Sequence, residues 1–574
     1  MEKALLTGNE AVARGAWEAG CRVACAYPGT PSTEILETIG KYYKKDIYCE
    51  WSTNEKVALE VAFGAAMAGA RSICAMKHVG LNVAADPFFS AGYTGVKAGF
   101  VIVSADDPEC HSSQNEQDNR HYGRAARIPV LEPSDSREAK EFTKIAFEIS
   151  EKFDTPVLLR LTTRISHSRT IVNLEDRKET PPPEYKPDFR KYNLLPVNAR
   201  VRRVVAQERI KKLQEFNETF EYNKIEWGDK DIGIVTCGIA YQYVKEVFPT
   251  KSVLKLAMTY PIPPRLVKDF ASKVEKLYVI EERDPFIEEQ IRFLGIEVIG
   301  KEKVPIIGEL NQEILRKSFG LEGKGNKKLA EKVPSRPPVL CPGCPHRGTF
   351  YVINKLKLYT TGDIGCYTLG ALPPLNAMDT CICMGASISN AFGLEVALRE
   401  KIWDKLVAII GDSTFYHAGI PPLIDLVYNK GRTTVIILDN RTTAMTGHQE
   451  HPGTGKTLMG EDTVEIKLED VAKGCGVKRV RVVDAFNLKE IEDAIKEEVK
   501  APEPSVIIVR GGCALRTPRK PPLKVIEDKC KGCKLCIKLG CPAIFFREGK
   551  AFISDILCNG CGLCKQVCPF GAIE

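Results

Sequence analysis

Eight of the 21 cysteines lie between positions 530 and 568, and their spacing restricts what this part of the chain can form. They fall into two runs, each with three cysteines separated by two residues and a fourth cysteine that precedes proline. The runs are Cys530-x2-Cys533-x2-Cys536-x4-Cys541-Pro542 and Cys558-x2-Cys561-x2-Cys564-x3-Cys568-Pro569. A tight turn can present three such thiolates to one inorganic cluster, and glycines at 532, 560 and 562 permit the close backbone approach.

This order is the pattern of two-cluster ferredoxins, in which three close cysteines hold one [4Fe–4S] cluster and the fourth ligates the other. The pattern assigns one cluster to Cys530, Cys533, Cys536 and Cys568, and the other to Cys558, Cys561, Cys564 and Cys541. A pair of zinc sites is the alternative, but zinc requires neither the two-run order nor the Cys-Pro endings. In the first run, four residues separate Cys536 from Cys541, where three are standard. The extra residue loosens the geometry of Cys541 but leaves four cysteine ligands for each cluster.

The composition is that of a packed globular protein, with 44% hydrophobic and 27% charged residues among 574. At about 150 residues per domain, this length predicts about four domains and excludes a small disulfide scaffold. The net charge of +7 is mild and indicates neither nucleic acid nor a membrane surface as a partner. The first residues do not read as a signal peptide, and no apolar run approaches the ~20 residues of a membrane span. We therefore expect a soluble, cytoplasmic protein, in which so many cysteines indicate metal or redox chemistry.

Strand-like apolar runs alternate with helical stretches in three parts of the chain, which predicts three α/β domains with doubly wound parallel sheets. The expected domains are residues 1–165, 230–320 and 333–515, followed by a two-cluster ferredoxin-like α+β domain at 524–574. Residues 166–229 are polar and are predicted as a linker or a long surface excursion, and a further linker is predicted at 321–338. The run GIEVIG (295–300) is expected as a strand of the second domain.

Two strand ends in the third α/β domain carry oxygen ligands. The run LVAIIG ends at Gly411-Asp412-Ser413, and the next strand ends just before Asn440, 28 residues after Asp412. Such oxygens suit Mg²⁺, and parallel sheets bind ligands at the carboxyl ends of their strands. This spacing resembles the thiamine diphosphate fingerprint, in which Asp412, Asn440 and the backbone carbonyl of Thr442 hold the ion that binds the diphosphate. A helix cap is the alternative role for a strand-end aspartate.

Residues 54–69 predict an alanine-rich helix whose first turn carries Glu55. A thiamine enzyme also needs a glutamate that protonates the aminopyrimidine ring, and this stretch resembles the glutamate-bearing helix of thiamine pyrimidine-binding domains. Glu55 is therefore the predicted catalytic acid. The alternative is that Glu55 only complements the helix dipole. The presence of Asp412 and Asn440 in the same chain makes this alternative the less favoured one.

Four further motifs accompany these features: YPGTPSTE (27–34), LCPGCPHR (340–347), GDIGCYTLG (362–370) and MTGHQ (445–449). Together with the two thiamine half-sites and the terminal cysteines, they resemble the α subunit of indolepyruvate:ferredoxin oxidoreductases over essentially the whole chain. The resemblance implies oxidative decarboxylation of an arylpyruvate with coenzyme A and two oxidised ferredoxins, which gives arylacetyl-CoA, CO₂ and reduced ferredoxin. It also implies a small β subunit as the partner, usually in an α2β2 assembly.

The resemblance also implies roles for domains and residues. The three α/β domains become a pyrimidine-binding domain, a small transketolase C-terminal-like domain and a thiamine diphosphate-binding domain, in chain order. Thr30 matches a threonine that contacts the substrate in the family. Lys77 and His78 are candidates for binding the substrate carboxylate. For these two residues, a pair of solvated loop residues without a role in binding is an equally favoured alternative. The cofactor-binding residues expected besides the magnesium ligands are Gly411, Ser413, Thr446 and Gly447.

A third [4Fe–4S] cluster close to thiamine is implied by matching positions in related 2-oxoacid:ferredoxin oxidoreductases, and its predicted ligands here are Cys341, Cys344, Cys366 and Cys513. A zinc knuckle at Cys341 and Cys344 is the alternative, but no second pair lies nearby. The other nine cysteines are expected to be buried small hydrophobic residues, among them Cys21, Cys25, Cys381 and Cys383.

Two rival functions remain open at this point. A non-oxidative thiamine-dependent decarboxylase would need no electron route, which the cysteine-rich tail disfavours. An iron–sulphur electron-transfer subunit without its own catalysis would not need Glu55, Asp412 and Asn440.

Overall fold

The computed structural model describes residues 2–321, 334 and 336–574. The chain divides into two compact units, Met1–Ala330 and Glu331–Glu574. The linker predicted at 321–338, and the first residue of the domain predicted at 333–515, lie largely outside the described residues. Within the described part of the chain, no helix combines the length and apolar character needed to cross a membrane.

Unit 1 contains thirteen strands among its described residues. They are β1 (Lys3–Thr7), β2 (Val23–Ala26), β3 (Tyr48–Trp51), β4 (Ser72–Lys77), β5 (Phe100–Asp106), β6 (Val130–Leu131), β7 (Val157–Thr162), β8 (Arg169–Asn173), β9 (Lys224–Glu226), β10 (Asp229–Cys237), β11 (Lys251–Leu256), β12 (Met258–Tyr260) and β13 (Lys276–Ile280). The α-helices of this unit are α1 (Gly8–Glu18), α2 (Thr33–Thr38), α3 (Glu55–Met67), α4 (His78–Val83), α5 (Ala85–Thr94), α6 (Arg120–Ala126), α7 (Ser136–Phe153), α8 (Thr163–His167), α9 (Phe189–Tyr192), α10 (Pro196–Asn217), α11 (Ala240–Val247), α12 (Pro264–Ala271), α13 (Phe286–Phe293) and α14 (Gln312–Ser318).

The largest sheet of unit 1 has the strand order β12-β6-β7-β5-β4-β2-β3. All neighbouring pairs are parallel except β12 with β6. Strands β5 and β7 are buried along their whole length, which explains why they read as continuous apolar runs in the sequence. Strand β12 belongs to the stretch predicted as a separate second domain, so the predicted domains at 1–165 and 230–320 share a sheet.

The second sheet of unit 1 has the order β13-β10-β11-β9, with only β9 antiparallel to its neighbour. The predicted strand GIEVIG (295–300) does not form, because only Ile299 pairs with the sheet, as an isolated bridge to Tyr278. Helix α13 ends two residues before Gly295, where the chain turns with a φ of 77°.

The segment 166–229, predicted as a linker or excursion, is largely built into unit 1. Strand β8 pairs antiparallel with β1, and α10 runs for 22 residues. The guanidinium groups of Arg202 and Arg209 on α10 bind Asp154 and the backbone carbonyl of Thr94 at the end of α5. The polar composition that suggested a linker therefore includes side chains that attach this helix to unit 1.

Unit 2 contains a six-stranded, fully parallel sheet and a small C-terminal hairpin. Its strands are β14 (Tyr359–Gly362), β15 (Thr380–Cys381), β16 (Leu406–Gly411), β17 (Thr434–Asp439), β18 (Arg479–Asp484), β19 (Ser505–Arg510), β20 (Ile544–Arg547) and β21 (Lys550–Ile553). Its α-helices are α15 (His346–Leu356), α16 (Ala386–Leu398), α17 (Asp412–Thr414), α18 (Ile420–Tyr428), α19 (Leu468–Gly474), α20 (Leu488–Glu498) and α21 (Leu563–Val567). The sheet order is β15-β14-β16-β17-β19-β18, and β20 pairs with β21. The predicted α/β architecture with several parallel sheets is therefore present.

Arg120 on α6 is the centre of a buried charge network in unit 1. Its side chain has no exposed surface, pairs with Asp118 and with Glu281 at 2.6 Å, and also donates to the backbone carbonyl of Glu282. Glu281 lies directly after β13, so this arginine ties the α6 region to the second sheet.

We expect Arg120→Ala to lower the free energy of unfolding by about 3–5 kcal/mol, because it leaves two buried carboxylates without their cation. The matched control is Arg124→Ala on the same helix, whose partly exposed pair with Glu289 should contribute about 1 kcal/mol or less. Urea unfolding of the purified variants, followed by circular dichroism, measures both. Equal losses in the two variants would contradict the central role of Arg120.

Candidate active site

The predicted magnesium ligands come together at one edge of the unit 2 sheet. Strands β16 and β17 are parallel neighbours, with Gly411 opposite Leu438, so Asp412 and Asn440 follow adjacent strand ends. The carboxylate of Asp412 accepts the backbone N–H groups of Ser413 and Arg441, both at 2.8 Å. The side-chain oxygen of Asn440 accepts the N–H of Thr442 at 3.2 Å. Oxygen donors of the kind that Mg²⁺ prefers therefore lie at adjacent strand ends.

Two buried histidines complete this group, and sequence reasoning missed both. Nε2 of His451 lies 3.2 Å from a carboxylate oxygen of Asp412, and Nε2 of His346 lies 3.3 Å from the side-chain nitrogen of Asn440. Burial raises the pKa of Asp412, but His451 outweighs it and holds the pKa below its usual value, so this carboxyl group is ionised and suited to a cation. Burial lowers the pKa of His346 to about 4, so this imidazole is neutral at pH 7. His346 lies in the motif LCPGCPHR, and this motif is the sequence signal that could have identified it.

The loop that follows Asn440 carries two of the other predicted cofactor-binding residues, Thr446 and Gly447. The N–H of Thr443 donates to the backbone carbonyl of Gln449 at 3.0 Å, and the Thr446 hydroxyl donates to the Gln449 side chain at 2.6 Å. Gly447 has a φ of 129°, which an L-residue rarely adopts. The hydroxyl of Thr443 donates to that of Ser413 at 2.9 Å, so this closed loop is joined to the end of β16.

Asp363, directly after β14, organises the loop that carries Cys366. Its buried carboxylate accepts the hydroxyls of Tyr367 and Ser387 and the N–H of Gly385, while burial raises its pKa to about 7. The ring of Tyr367 lies 2.6 Å from the position that a Cβ on Gly411 would occupy, so only glycine fits there. The motif GDIGCYTLG thus joins Cys366 to the magnesium edge of the sheet.

The structure groups the four cysteines predicted for an internal cluster. The thiol of Cys366 interacts electrostatically with Cys513 and Cys341, and that of Cys344 interacts with Cys366 and Cys341. Burial raises the pKa of Cys366 to about 11, and the neighbouring thiols contribute a smaller part of this shift. The backbone N–H of Cys513 donates to the carbonyl of Asn440 at 3.1 Å, which places this group next to the magnesium ligands.

The eight terminal cysteines line two separate cavities. The first cavity is lined by Cys530, Cys533, Cys536 and Cys568, and the second by Cys541, Cys558, Cys561 and Cys564. The groups are those that the spacing predicted, including the exchange of the fourth cysteine between runs. Each cavity presents four thiols and otherwise mostly apolar walls, which fits a [4Fe–4S] cluster.

The second cavity lies against the internal cysteines. The guanidinium of Arg347 donates to the backbone carbonyls of Leu539 in the tail and of Leu340 and Cys341, at 2.6 to 2.9 Å. Asn559 donates to the carbonyl of Pro342 at 3.1 Å. These bonds attach the ferredoxin-like tail to the segment that contributes Cys341 and Cys344.

In unit 1, Glu55 is the first residue of α3 and is only 4% exposed. Asn54 caps the helix by accepting the N–H of Val57, so the cap does not depend on the Glu55 side chain. A Cβ on Gly80 of α4 would lie 2.7 Å from the Glu55 carboxyl group, which shows how closely the two helices approach there. The Glu55 carboxyl group is therefore shielded from solvent at the start of α3.

The two candidates for the substrate carboxylate lie in different surroundings. The alkyl chain of Lys77 runs along Gly29, the neighbour of Thr30, and its ammonium group donates to the carbonyl of Ser112 at 3.0 Å. Burial lowers the pKa of Lys77, while nearby Asp107 opposes the shift. His78 is fully buried, and burial lowers its pKa to about 4. Neither residue belongs to a solvated loop pair, and Lys77 is the one beside Thr30.

The remaining cysteines mostly match the expectation of buried, inert thiols. Cys21, Cys25 and Cys74 are buried, and burial raises the pKa of each, so they stay protonated. The expectation is wrong for Cys383, which is exposed in the turn between β15 and α16, and Cys110, Cys381 and Cys475 are only half-buried.

Three family models match parts of this chain. The sequence profile of the "Thiamine pyrophosphate enzyme, C-terminal TPP binding domain" matches residues 363–509, and that of the "4Fe-4S binding domain" matches residues 552–574. The profile "Pyruvate flavodoxin/ferredoxin oxidoreductase, thiamine diP-bdg" matches residues 14–227. This last match includes most of the segment predicted as a linker, in agreement with its packing in unit 1.

An indolepyruvate oxidoreductase subunit IorA from Archaeoglobus fulgidus is 44% identical over 100% of this chain and 97% of its own length. The chain belongs to this family. The subunit IorA of Thermococcus kodakarensis is also 44% identical, again over 100% of this chain and 97% of its own. A solved 2-oxoglutarate:ferredoxin oxidoreductase from Magnetococcus marinus shows 17% identity and a TM-score of 0.46, covering 56% of this chain and 65% of that chain.

We expect Cys366→Ala to lower the iron content of the reconstituted chain from about 12 to about 8 atoms, because it removes a ligand of the internal cluster alone. The matched control is Cys383→Ala, which lies nearby in the sequence, is exposed and should leave the iron content unchanged. Iron analysis and low-temperature electron paramagnetic resonance measure the loss. Equal iron content in the two variants would refute the internal cluster.

Proposed function

We propose that this chain, together with a small partner subunit, oxidatively decarboxylates indolepyruvate and related arylpyruvates. The reaction consumes coenzyme A and two oxidised ferredoxins and yields arylacetyl-CoA, CO₂ and two reduced ferredoxins. The family membership supports the reaction type. The choice of arylpyruvate, the use of coenzyme A and the partner subunit are the parts that the experiments below address.

The observation that carries the proposal is the contact between Asn440 and Cys513. A magnesium ligand and a cluster ligand are joined by one backbone hydrogen bond of 3.1 Å, and the internal cysteines in turn lie against the tail. A non-oxidative decarboxylase has no use for such a route, and a simple electron carrier has no use for Asp412 and Asn440. The arrangement supports an enzyme that withdraws electrons where it decarboxylates.

In this proposal, Asp412, Asn440 and the carbonyl of Thr442 would hold Mg²⁺, which would anchor thiamine diphosphate. The bound cofactor supplies the electron sink for decarboxylation. Glu55 donates a hydrogen bond to the aminopyrimidine ring from its shielded position. Lys77 binds the carboxylate of the 2-oxoacid, and Thr30 orients its keto group. The three cysteine groups hold the clusters that accept electrons one at a time.

Anaerobic reduction of a viologen dye by the chain with its partner subunit tests the function. We expect dye reduction only when indolepyruvate, coenzyme A, Mg²⁺ and thiamine diphosphate are all present. Release of CO₂ without dye reduction would favour the non-oxidative decarboxylase. No change that depends on a 2-oxoacid would favour an electron-transfer subunit.

We expect Glu55→Gln to lower kcat by about 10²-fold or more, because the amide cannot exchange the proton that the ring requires. Thiamine diphosphate and iron contents should stay unchanged. The matched control is Glu60→Gln on the same helix, whose side chain is exposed and paired with Lys56. Full activity of Glu55→Gln would remove this residue from the mechanism.

We expect Lys77→Gln to lower kcat/KM for indolepyruvate by about 10- to 100-fold, the size expected for one charge-assisted hydrogen bond. The loss should lie mainly in KM, and the inhibition constant of indolylacetone, which lacks the carboxylate and is not decarboxylated, should change less. Lys56→Gln, on the exposed face of α3, is the control. An unchanged KM would assign the substrate carboxylate to another group.

A further inference from the structure

The two terminal cysteine groups differ in their surroundings. The second cavity is lined by Gly343, Arg347 and Asn559, which lie at the junction with the internal cysteines. The first cavity is lined instead by Lys531, Lys534 and Phe570. Electrons that leave the internal cluster therefore meet the second group first and the first group last.

Cys533 distinguishes the first group further, because it is the exposed member of the eight terminal cysteines. The thiols of the second group are all buried or half-buried. Electron transfer between proteins slows steeply with distance, so the group that reaches the surface is the better exit.

The chain on both sides of Cys533 is rich in lysine, directly after Glu527 and Asp528. Residues 529–538 contain four lysines and no carboxylate. All four lysines are exposed, and none forms an ion pair with a carboxylate of the described residues; they are Lys529, Lys531, Lys534 and Lys538. We call these four lysines, together with Cys533, the exit surface.

Apolar side chains accompany these charges. The ammonium group of Lys534 lies 4.7 Å from the ring centre of Phe546, and Phe570, which lines the same cavity, is 46% exposed. An apolar centre surrounded by unpaired charges of one sign is typical of transient protein contacts, in which charge steers the encounter. Unpaired lysines select a partner of opposite charge.

We infer that the cluster of Cys530, Cys533, Cys536 and Cys568 is the exit of the electron route and that a small acidic electron-carrier protein docks on the exit surface. The inference rests on the proposed function and adds the face of the chain, the order of the two terminal clusters and the charge of the partner. Each docking event moves one electron from the exit cluster to the carrier, so two events complete one turnover.

The first experiment does not depend on the 2-oxoacid reaction. The holoprotein is treated with a water-soluble carbodiimide in the presence of an acidic two-[4Fe–4S] ferredoxin, which joins carboxylates to lysines in contact. We expect cross-links at the lysines of the exit surface, lost at high salt because charge steering is screened. Cross-links confined to lysines elsewhere would overturn the inference, whether or not the protein oxidises indolepyruvate.

The second experiment measures turnover with two acceptors, the same ferredoxin and an uncharged quinone. The test variant carries glutamate at the four lysines of the exit surface, and the control variant carries it at four exposed lysines of the thiamine diphosphate-binding domain. The control positions are Lys430, Lys473, Lys489 and Lys500. We expect kcat/KM for ferredoxin to fall at least tenfold in the test variant alone, with its salt dependence reversed and the quinone rate unchanged.

Equal losses for ferredoxin in the test and control variants would overturn the docking site. Should four glutamates impair cluster assembly, as iron analysis would reveal, the variant with glutamine at the same four positions replaces it. Neutral glutamine should still lower kcat/KM for ferredoxin severalfold and weaken its salt dependence. If the unmodified protein reduces neither acceptor when indolepyruvate is added, the proposed function is refuted. The cross-linking result then decides on the docking site by itself.

Discussion

Parallel strands that end at the same edge of a sheet bring the residues after them into contact, and unit 2 depends on this geometry. Asp363 follows β14, Asp412 follows β16, Asn440 follows β17, and Cys513 follows β19 by three residues. Residues up to 150 positions apart in the chain therefore meet without any special folding of the loops. The edge that carries Asp412 and Asn440 also carries Cys513, whose backbone N–H donates to the carbonyl of Asn440.

This edge buries several ionisable groups, which is unfavourable unless each finds partners. Asp412 has His451 and two backbone N–H groups, and Asp363 has two hydroxyls and one N–H. Such satisfied networks fix side chains in one orientation. Burial also lowers the pKa of His346, so that a neutral imidazole and not a second cation adjoins the magnesium ligands.

The sequence predicted features that local spacing controls. The two terminal cysteine groups follow from intervals of a few residues, and most strands follow from continuous apolar runs. Features that depend on distant contacts escaped prediction. His346 and His451 enter the site only because loops from different strands meet, and β12 pairs with β6 across more than 120 residues. Helix α10 looked like a linker because its arginines are polar in sequence, although they bind buried carbonyl groups.

The exchange of the fourth cysteine between the two terminal runs has a consequence for how the tail acquires its iron. Since Cys541 belongs to the second group and Cys568 to the first, neither run holds a complete set of ligands by itself. The tail therefore has to bring both runs together before either cluster is fully ligated. Iron loading of this region is expected to be cooperative, so that iron-starved cells would contain tails with both clusters or with none.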